Sequence, residues 1–217
     1  MDGNKRWSKN NKVSLREGYL KGLKKINSVI KLCLSKKIKY LTVYALSSEN
    51  VKRPTVGTIF DILTKEYKKV LKEFDVKNSV KINIIGQKNN LPNSILKIVN
   101  EIENFETKKF KLNLNIAFNY GTDDELVSMV KKIIKNKKIT IEDINKTFIY
   151  ENLYLSKVPD PDLLIRTGGY KRLSNFILLK LRYTELFFTN TLWPDLSENE
   201  LSDIFNEFKK IKRNYGL

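Results

Sequence analysis

The run Tyr40-Leu41-Thr42-Val43-Tyr44-Ala45-Leu46-Ser47, followed at once by Ser48-Glu49-Asn50-Val51-Lys52-Arg53-Pro54, decides the fold. Its first half is β-branched, aromatic and apolar, the composition of a buried strand. Its second half sets hydroxyls, a carboxylate, an amide and two cations where the strand must end. In open α/β sheets ligands gather at the carboxyl ends of strands, so polar groups here point to a binding site. Working outward, the pattern repeats. Residues 13–36 carry Leu20, Leu23, Ile26, Ile30 and Cys33 at helical spacing. Residues 56–74 follow as a second helix, with Ile59, Phe60, Leu63, Tyr67, Val70, Leu71 and Phe74 on one side. Val80–Ile85 is a strand stopped at Gly86, 93–104 a helix, and Lys111–Phe118 an alternating strand. It runs into a turn at Asn119-Tyr120-Gly121, and Asp123 and Asp124 then open a helix in its first turn. The polar stretch 135–146 is a surface connection with a short helix, Asp162–Arg166 a short strand stopped by Gly168-Gly169, and Glu198–Arg213 a closing amphipathic helix. Alternating helices and strands predict an α/β fold: one domain, with a central, mostly parallel sheet flanked by helices.

Composition narrows the chemistry. The 217 residues include no histidine, so imidazole bases, Ser/His and Cys/His dyads and His-ligated zinc are all excluded. The one cysteine, Cys33, lies in the apolar run VIKLCL and reads as a buried hydrophobe in an intracellular chain. Lys and Arg number 41 against 24 Asp and Glu, a formal charge of +17, which suits an anionic partner. The lysines are spread over most helices, as solvated faces are, and no nucleic-acid motif accompanies them, so a nucleic-acid partner is not expected. No run reaches the roughly 20 apolar residues of a membrane-spanning helix.

Four constellations remain. In Met1-Asp2-Gly3-Asn4-Lys5-Arg6-Trp7, glycine admits close backbone approach, Arg6 is a fixed cation, and Asp2 is a natural ligand for a Mg²⁺ bridging diphosphate oxygens. The second is the Ser47–Pro54 block. In the third, Arg166 and Arg172 flank Thr167-Gly168-Gly169 with Ser174 close behind, a bidentate cage for a diphosphate. The fourth is Glu185, a carboxylate before the apolar Leu186-Phe187-Phe188 that requires an arginine or a metal as partner. There is no Walker loop, no G-x-G-x-x-G, and no pair of D-D-x-x-D clusters.

Taken in order, MDGNKRW, LTVYALSSENVKRP, IIG, NIAFNYG, PDLLIRTGGYKRLSNF and YTELFFTNTLWPDL resemble the cis-prenyltransferase family over almost the whole chain. The resemblance implies an undecaprenyl diphosphate synthase-like fold enclosing an elongated hydrophobic cavity, with the apolar face of 56–74 as its candidate lining. It implies condensation of isopentenyl diphosphate with an allylic prenyl diphosphate, farnesyl diphosphate by default, to a long cis-polyprenyl diphosphate that carries cell-wall glycans.

By the same resemblance Asp2 organises Mg²⁺ and diphosphate, while Gly3, Asn4, Lys5, Arg6 and Trp7 form the loop around the allylic diphosphate. Ser47 and Asn50 lie beside the reacting carbons, with Ser48 and Glu49 between them and Arg53 on phosphate. Arg166, Arg172 and Ser174 hold the isopentenyl diphosphate head group, and Glu185 is the second metal-linked acid. A cytoplasmic homodimer is implied, peripheral at an anionic inner membrane face, with Arg213-Asn214-Tyr215-Gly216 reaching toward the partner. A non-catalytic partner subunit is the alternative, and the six retained polar residues Asp2, Asn50, Arg166, Arg172, Ser174 and Glu185 argue against it.

Several positions depart from the family. Tyr19 stands for histidine, Val51 for tryptophan, Tyr170 for glutamate, and Leu179-Lys180 for Trp-Gln. The family also places a strand before Met-Asp-Gly-Asn, so the single domain 1–217 is expected to lack that strand.

Overall fold

The computed structural model describes residues 1–73, 79–105 and 109–213. Its elements in order are α1 (Asn4–Asn10), α2 (Leu15–Ser35), β1 (Tyr40–Ser47), α3 (Ser48–Val51), α4 (Val56–Glu73), β2 (Val80–Ile85), α5 (Asn93–Glu103), β3 (Leu112–Tyr120), α6 (Thr122–Lys135), α7 (Lys146–Glu151), β4 (Leu163–Arg166), β5 (Glu185–Phe188) and α8 (Glu198–Lys210). Every strand pairing is parallel. β3 lies between β1 and β2 in a three-stranded sheet, and β4 pairs with β5 in a second sheet.

The core follows from the sequence pattern. β3 is covered on both faces, with Leu112, Leu114, Ala117 and Tyr120 almost without exposure. One layer packs Ile26, Val29, Ile30 and Cys33 of α2 against Val43, Val80, Ile82, Leu112 and Leu114. The other face meets Ile95, Ile98 and Val99 of α5, with Ile59, Phe60 and Leu63 of α4 half-buried beside them. A polar row crosses the sheet where the register sets Thr42, Asn115 and Asn83 side by side. Asn115 donates to Thr42 Oγ1 at 3.2 Å and accepts from Asn83 Nδ2 at 3.0 Å, so the fully buried amide is satisfied.

Several expectations change. The opening loop is in fact helical from Asn4, and the long helix starts at Leu15 behind a capping box in which Ser14 and Glu17 each bond the other's backbone N–H. The strand expected to end at Phe118 continues to Tyr120, because Asn119 and Tyr120 are still buried. The expected short helix begins at Lys146, just beyond 135–146, capped by Asn145. Leu186-Phe187-Phe188 belongs to a strand, β5. On α4 the most buried side chain is Ile62, off the expected face; Phe74 lies outside the described residues. A cleft of about 660 Å³ opens between α4 and α5, lined by Tyr67, Leu71 and Phe105 together with Lys68, Lys72 and Lys97. No helix among the described residues is long and apolar enough to cross a membrane.

Candidate active site

The site forms where β1, β3 and β4 end. A bulge at Ala45 breaks the β1 register just before Ser47, re-aiming the last turn of the strand. Ser47 then caps α3, its Oγ accepting from Asn50 N–H at 3.2 Å. At the end of β3, Tyr120 O accepts from Tyr44 Oη at 2.9 Å.

Asp2 is fixed through its backbone. Its N–H donates to Thr167 Oγ1 at 3.0 Å, and its carbonyl accepts from Thr167 Oγ1 at 3.0 Å and from Trp193 N–H at 2.9 Å. Its carboxylate therefore points among cations: Oδ1 lies 3.2 Å from Arg6 Nη2, and Oδ2 accepts from Arg166 Nη2 at 3.2 Å. Arg6 is held in turn by Gly168 O at 2.6 Å, and Arg166 donates through Nη1 to Ser174 Oγ at 2.8 Å and to Arg172 O. Gly3, at φ 120°, leaves no room for a side chain, since a Cβ there would stand 2.9 Å from Leu192. Helix α1 reaches this position because Gly18 and Gly22 of α2 let it approach; a Cβ on Gly22 would lie 2.0 Å from Asn4 Oδ1, and one on Gly18 2.0 Å from Ser8 Oγ.

The segment after the double glycine ties the blocks together. Ser174, Asn175 and Ile177 all take left-handed backbone angles, an unusual concentration for residues other than glycine. Asn175 O accepts from Thr122 N–H at 3.0 Å, its Oδ1 accepts from Asp123 N–H at 3.3 Å, and its Nδ2 donates to Glu49 Oε1 at 3.4 Å. Burial pushes the Glu49 carboxyl up, but its own backbone N–H, Ser47, Asn175 and the Lys52 charge together bring it below the usual carboxylate range.

The structure thus brings Asp2, Gly3, Arg6, Arg166, Arg172 and Ser174 together, and joins Ser47, Ser48, Glu49 and Asn50 to them through Asn175. Ser48 and Asn175 both crowd the face of Gly121, where a Cβ would stand 2.9 Å from each. Arg53 is exposed beside Tyr19, whose hydroxyl burial pushes up and Arg53 pulls down. Lys5 is exposed. Trp7 faces away from the arginines, donating from Nε1 to Asp195 at 2.8 Å with Lys21 4.1 Å over its ring. Glu185 pairs with Leu163 while Arg166 pairs with Phe188, which sets Glu185 about 10 Å back along the strands from Arg166. Thr167, Tyr44 and Asn175 were not singled out by sequence; each acts through a tertiary contact with no local signature.

Two guanidinium N–H groups in this cluster, Arg6 Nη2 and Arg166 Nε, are buried without a hydrogen-bond acceptor; Arg6 Nη2 has its ion pair to Asp2 but not the alignment of a bond. Spare cationic donors of this kind, with two arginines on one carboxylate, suit an anion with several oxygens. Among the described residues no three carboxylates or cysteines converge as a closed metal cage. One carboxylate facing an anion pocket is nevertheless a fit for Mg²⁺, which keeps water and is completed by substrate phosphates.

A family model described as putative undecaprenyl diphosphate synthase matches residues 1–216. The isoprenyl transferase of Fusobacterium nucleatum is 38% identical over all of this chain and 93% of its own length. The tritrans,polycis-undecaprenyl-diphosphate synthase (geranylgeranyl-diphosphate specific) of Thermococcus kodakarensis is 36% identical over all of the chain and 84% of its own. Among solved structures, lavandulyl diphosphate synthase from Lavandula x intermedia in complex with dimethylallyl diphosphate superposes with a TM-score of 0.90 at 29% identity, covering 100% of this chain and 95% of that one. A probable undecaprenyl diphosphate synthase from Campylobacter jejuni gives 0.79 at 31% identity, over 91% and 92% of the two chains.

Proposed function

The chain belongs to the putative undecaprenyl diphosphate synthase family, and on that premise we propose that it extends farnesyl diphosphate with isopentenyl diphosphate to a long cis-polyprenyl diphosphate serving as a cell-wall lipid carrier. It is a cis-prenyltransferase, moving an alkyl group other than methyl. The observation that supports diphosphate as the head group of both substrates is the pair of acceptorless guanidinium N–H groups beside Asp2.

The reaction forms a carbon–carbon bond, expels diphosphate from the allylic carbon and releases a proton from the isopentenyl unit. Its electrostatic cost lies in the departing diphosphate, so donors held in place beforehand lower the barrier most. Arg6, packed on Gly168 O, meets the allylic diphosphate together with the first turn of α1, whose free N–H groups add to the positive field. Arg166, Arg172 and Ser174 hold the isopentenyl diphosphate head group, and the bonds of Arg166 to Ser174 Oγ and the Arg172 carbonyl position the cage before substrate arrives. Asp2 would hold Mg²⁺, which when bound supplies charge to the leaving diphosphate. Glu185, expected as a second metal-linked acid, stands at the start of β5, the opposite end of the strands from Arg166, and lies outside this cage. Ser47 and Asn50, fixed at the entrance to α3, orient the reacting carbons. The half-buried apolar face of α4 lines the path of the growing chain.

A homodimer accompanies this reading; Arg213, expected to reach toward the partner, bonds Asp162 and the Tyr183 carbonyl of its own chain, and residues 214–216 lie outside the described residues. The net charge of +17 supports a cytoplasmic, peripheral location at an anionic membrane surface, where product is delivered.

The test is incorporation of labelled isopentenyl diphosphate into extractable lipid with Mg²⁺, offering farnesyl and geranylgeranyl diphosphate in turn. Mg²⁺-dependent lipid that disappears in Asp2→Ala is expected, and the preferred starter and chain length complete the assignment. A wild-type chain that makes no lipid from either starter would leave it a non-catalytic partner subunit.

A further inference from the structure

Tyr170 sits at the centre of the arginine cluster. Gly168 and Gly169, at φ 88° and 82°, reverse the chain after β4, and their N–H groups donate to Thr191 O and Thr189 O, both at 2.8 Å. That reversal lays the Tyr170 ring against three guanidiniums from three elements: Arg172 of the same loop at 4.2 Å, Arg6 of α1 at 4.8 Å and Arg166 of β4 at 5.9 Å from the ring centre. The ring is 43% exposed, so burial of apolar area does not account for its place. Three guanidiniums this close repel one another. One carboxylate, Asp2, pairs with Arg6 and Arg166, and among the described residues none pairs with Arg172. The negative face of an aromatic ring attracts cations without cancelling their charge. A carboxylate in its place would gather the same arginines but remove one unit of the potential that draws an anion.

Resting on the reading of this cage as a diphosphate site, we propose that Tyr170 is its positioning residue: a neutral ring that preassembles Arg6 and Arg172, leaves their charge whole, and thereby sets affinity for the diphosphate head group. Its hydroxyl is not required; its ring is.

The experiment titrates inorganic diphosphate, in EDTA, into the full chain and into Tyr170→Phe, Tyr170→Leu and Tyr170→Glu by calorimetry at two salt concentrations. Tyr170→Phe should bind within about twofold of wild type, and Tyr170→Leu about five- to thirtyfold more weakly, the loss expected from two ring–cation contacts. The Leu variant keeps every charge, so its dependence on salt should match wild type, whereas Tyr170→Glu should weaken binding and flatten that dependence. In steady-state assays the Leu variant should raise KM for isopentenyl diphosphate and leave kcat within about twofold. Melting temperatures check that each variant is folded, and Tyr170→Met replaces the Leu variant if that one is not. A wild-type chain that does not bind diphosphate overturns the diphosphate site itself and this role with it. Wild-type binding that the Leu or Met variant retains in full overturns the role of Tyr170 alone.

Discussion

Arg166 does with one planar group what no other side chain in the site can do. It bonds the Asp2 carboxylate through Nη2, Ser174 Oγ and the Arg172 carbonyl through Nη1, and its buried Nε has no acceptor. Lysine carries the same charge but not the fork. Arg166→Lys should therefore lower kcat/KM for isopentenyl diphosphate by about a hundredfold or more, the usual effect of removing one preorganised donor, with little change in melting temperature. The arginines were legible because a strand broken by two glycines rarely ends in two guanidiniums by accident. Glu125 was not legible: as a first-turn acid it reads as a match for the helix dipole. In the fold it is buried, accepting from Tyr120 Oη at 2.6 Å and from Tyr154 N–H at 2.5 Å. Burial pushes its carboxyl up, against these bonds and the nearby charge of Lys180. A folded-state value above the unfolded one means that protonation favours the fold. The contribution is full below the ordinary value of 4.5 and is lost as pH rises through the folded value. Wild type should therefore lose stability relative to Glu125→Gln as pH is raised from about 4 toward neutrality, and melting curves of the pair across that range check the sign. A difference independent of pH would mean that folding leaves the Glu125 carboxyl at its unfolded value.

Helix α1 shows how an element can be invisible in sequence and still sit beside the Asp2 carboxylate. NKRWSKN has no apolar period, so pattern reading leaves it a loop. What folds it is its seat on α2, where Gly18 and Gly22 remove the side chains that would hold it off. Adding a methyl at Gly22, 2.0 Å from Asn4 Oδ1, must displace the Asn4 side chain against its neighbours or move α1 from α2. Gly22→Ala should cost about 1–3 kcal/mol in denaturant unfolding, the range for overpacking a close contact. Its larger effect should be on activity, because Asp2, Gly3 and Arg6 move with α1, and a shift of about 1 Å in a positioned group is worth on the order of a hundredfold. A variant that loses stability but keeps kcat/KM would show that Asp2 is held by Thr167 and Trp193 alone. The long elements, by contrast, were legible within a few residues because their apolar periods coincide with the buried faces: Ile26, Ile30 and Cys33 of α2, and the alternation of β3. The strap at Ser174–Ile177 had no such signal, since its left-handed angles are imposed by bonds to Thr122, Asp123 and Glu49 from other elements.

Over the whole molecule, positive charge is in large excess and is not gathered in the site. Two arginines flank Asp2 and a third joins them over the Tyr170 ring, but the formal charge of +17 comes from lysines on nearly every helix. Charge so spread cannot hold one small anion. Its effect is a positive field over much of the surface, felt within a Debye length of about 8 Å at physiological ionic strength. An extended anionic surface is the partner that such a field fits, each lysine near it contributing about 1 kcal/mol. A product with one diphosphate and a long apolar chain is also best released where a bilayer can accept it. The chain should therefore co-sediment with vesicles containing about a third anionic lipid and not with neutral ones, and binding should fall steeply as salt is raised. The site predicts a different salt response, since Arg166 is 14% exposed and bonded to Ser174 while Arg6 is held by Gly168. Raising salt should release the protein from vesicles well before it weakens diphosphate binding in solution, and separating those two midpoints tests the division of labour between surface lysines and site arginines. If vesicle binding ignores anionic content, the surface charge serves something other than a membrane; if both midpoints fall together, the site shares the exposed electrostatics of the surface.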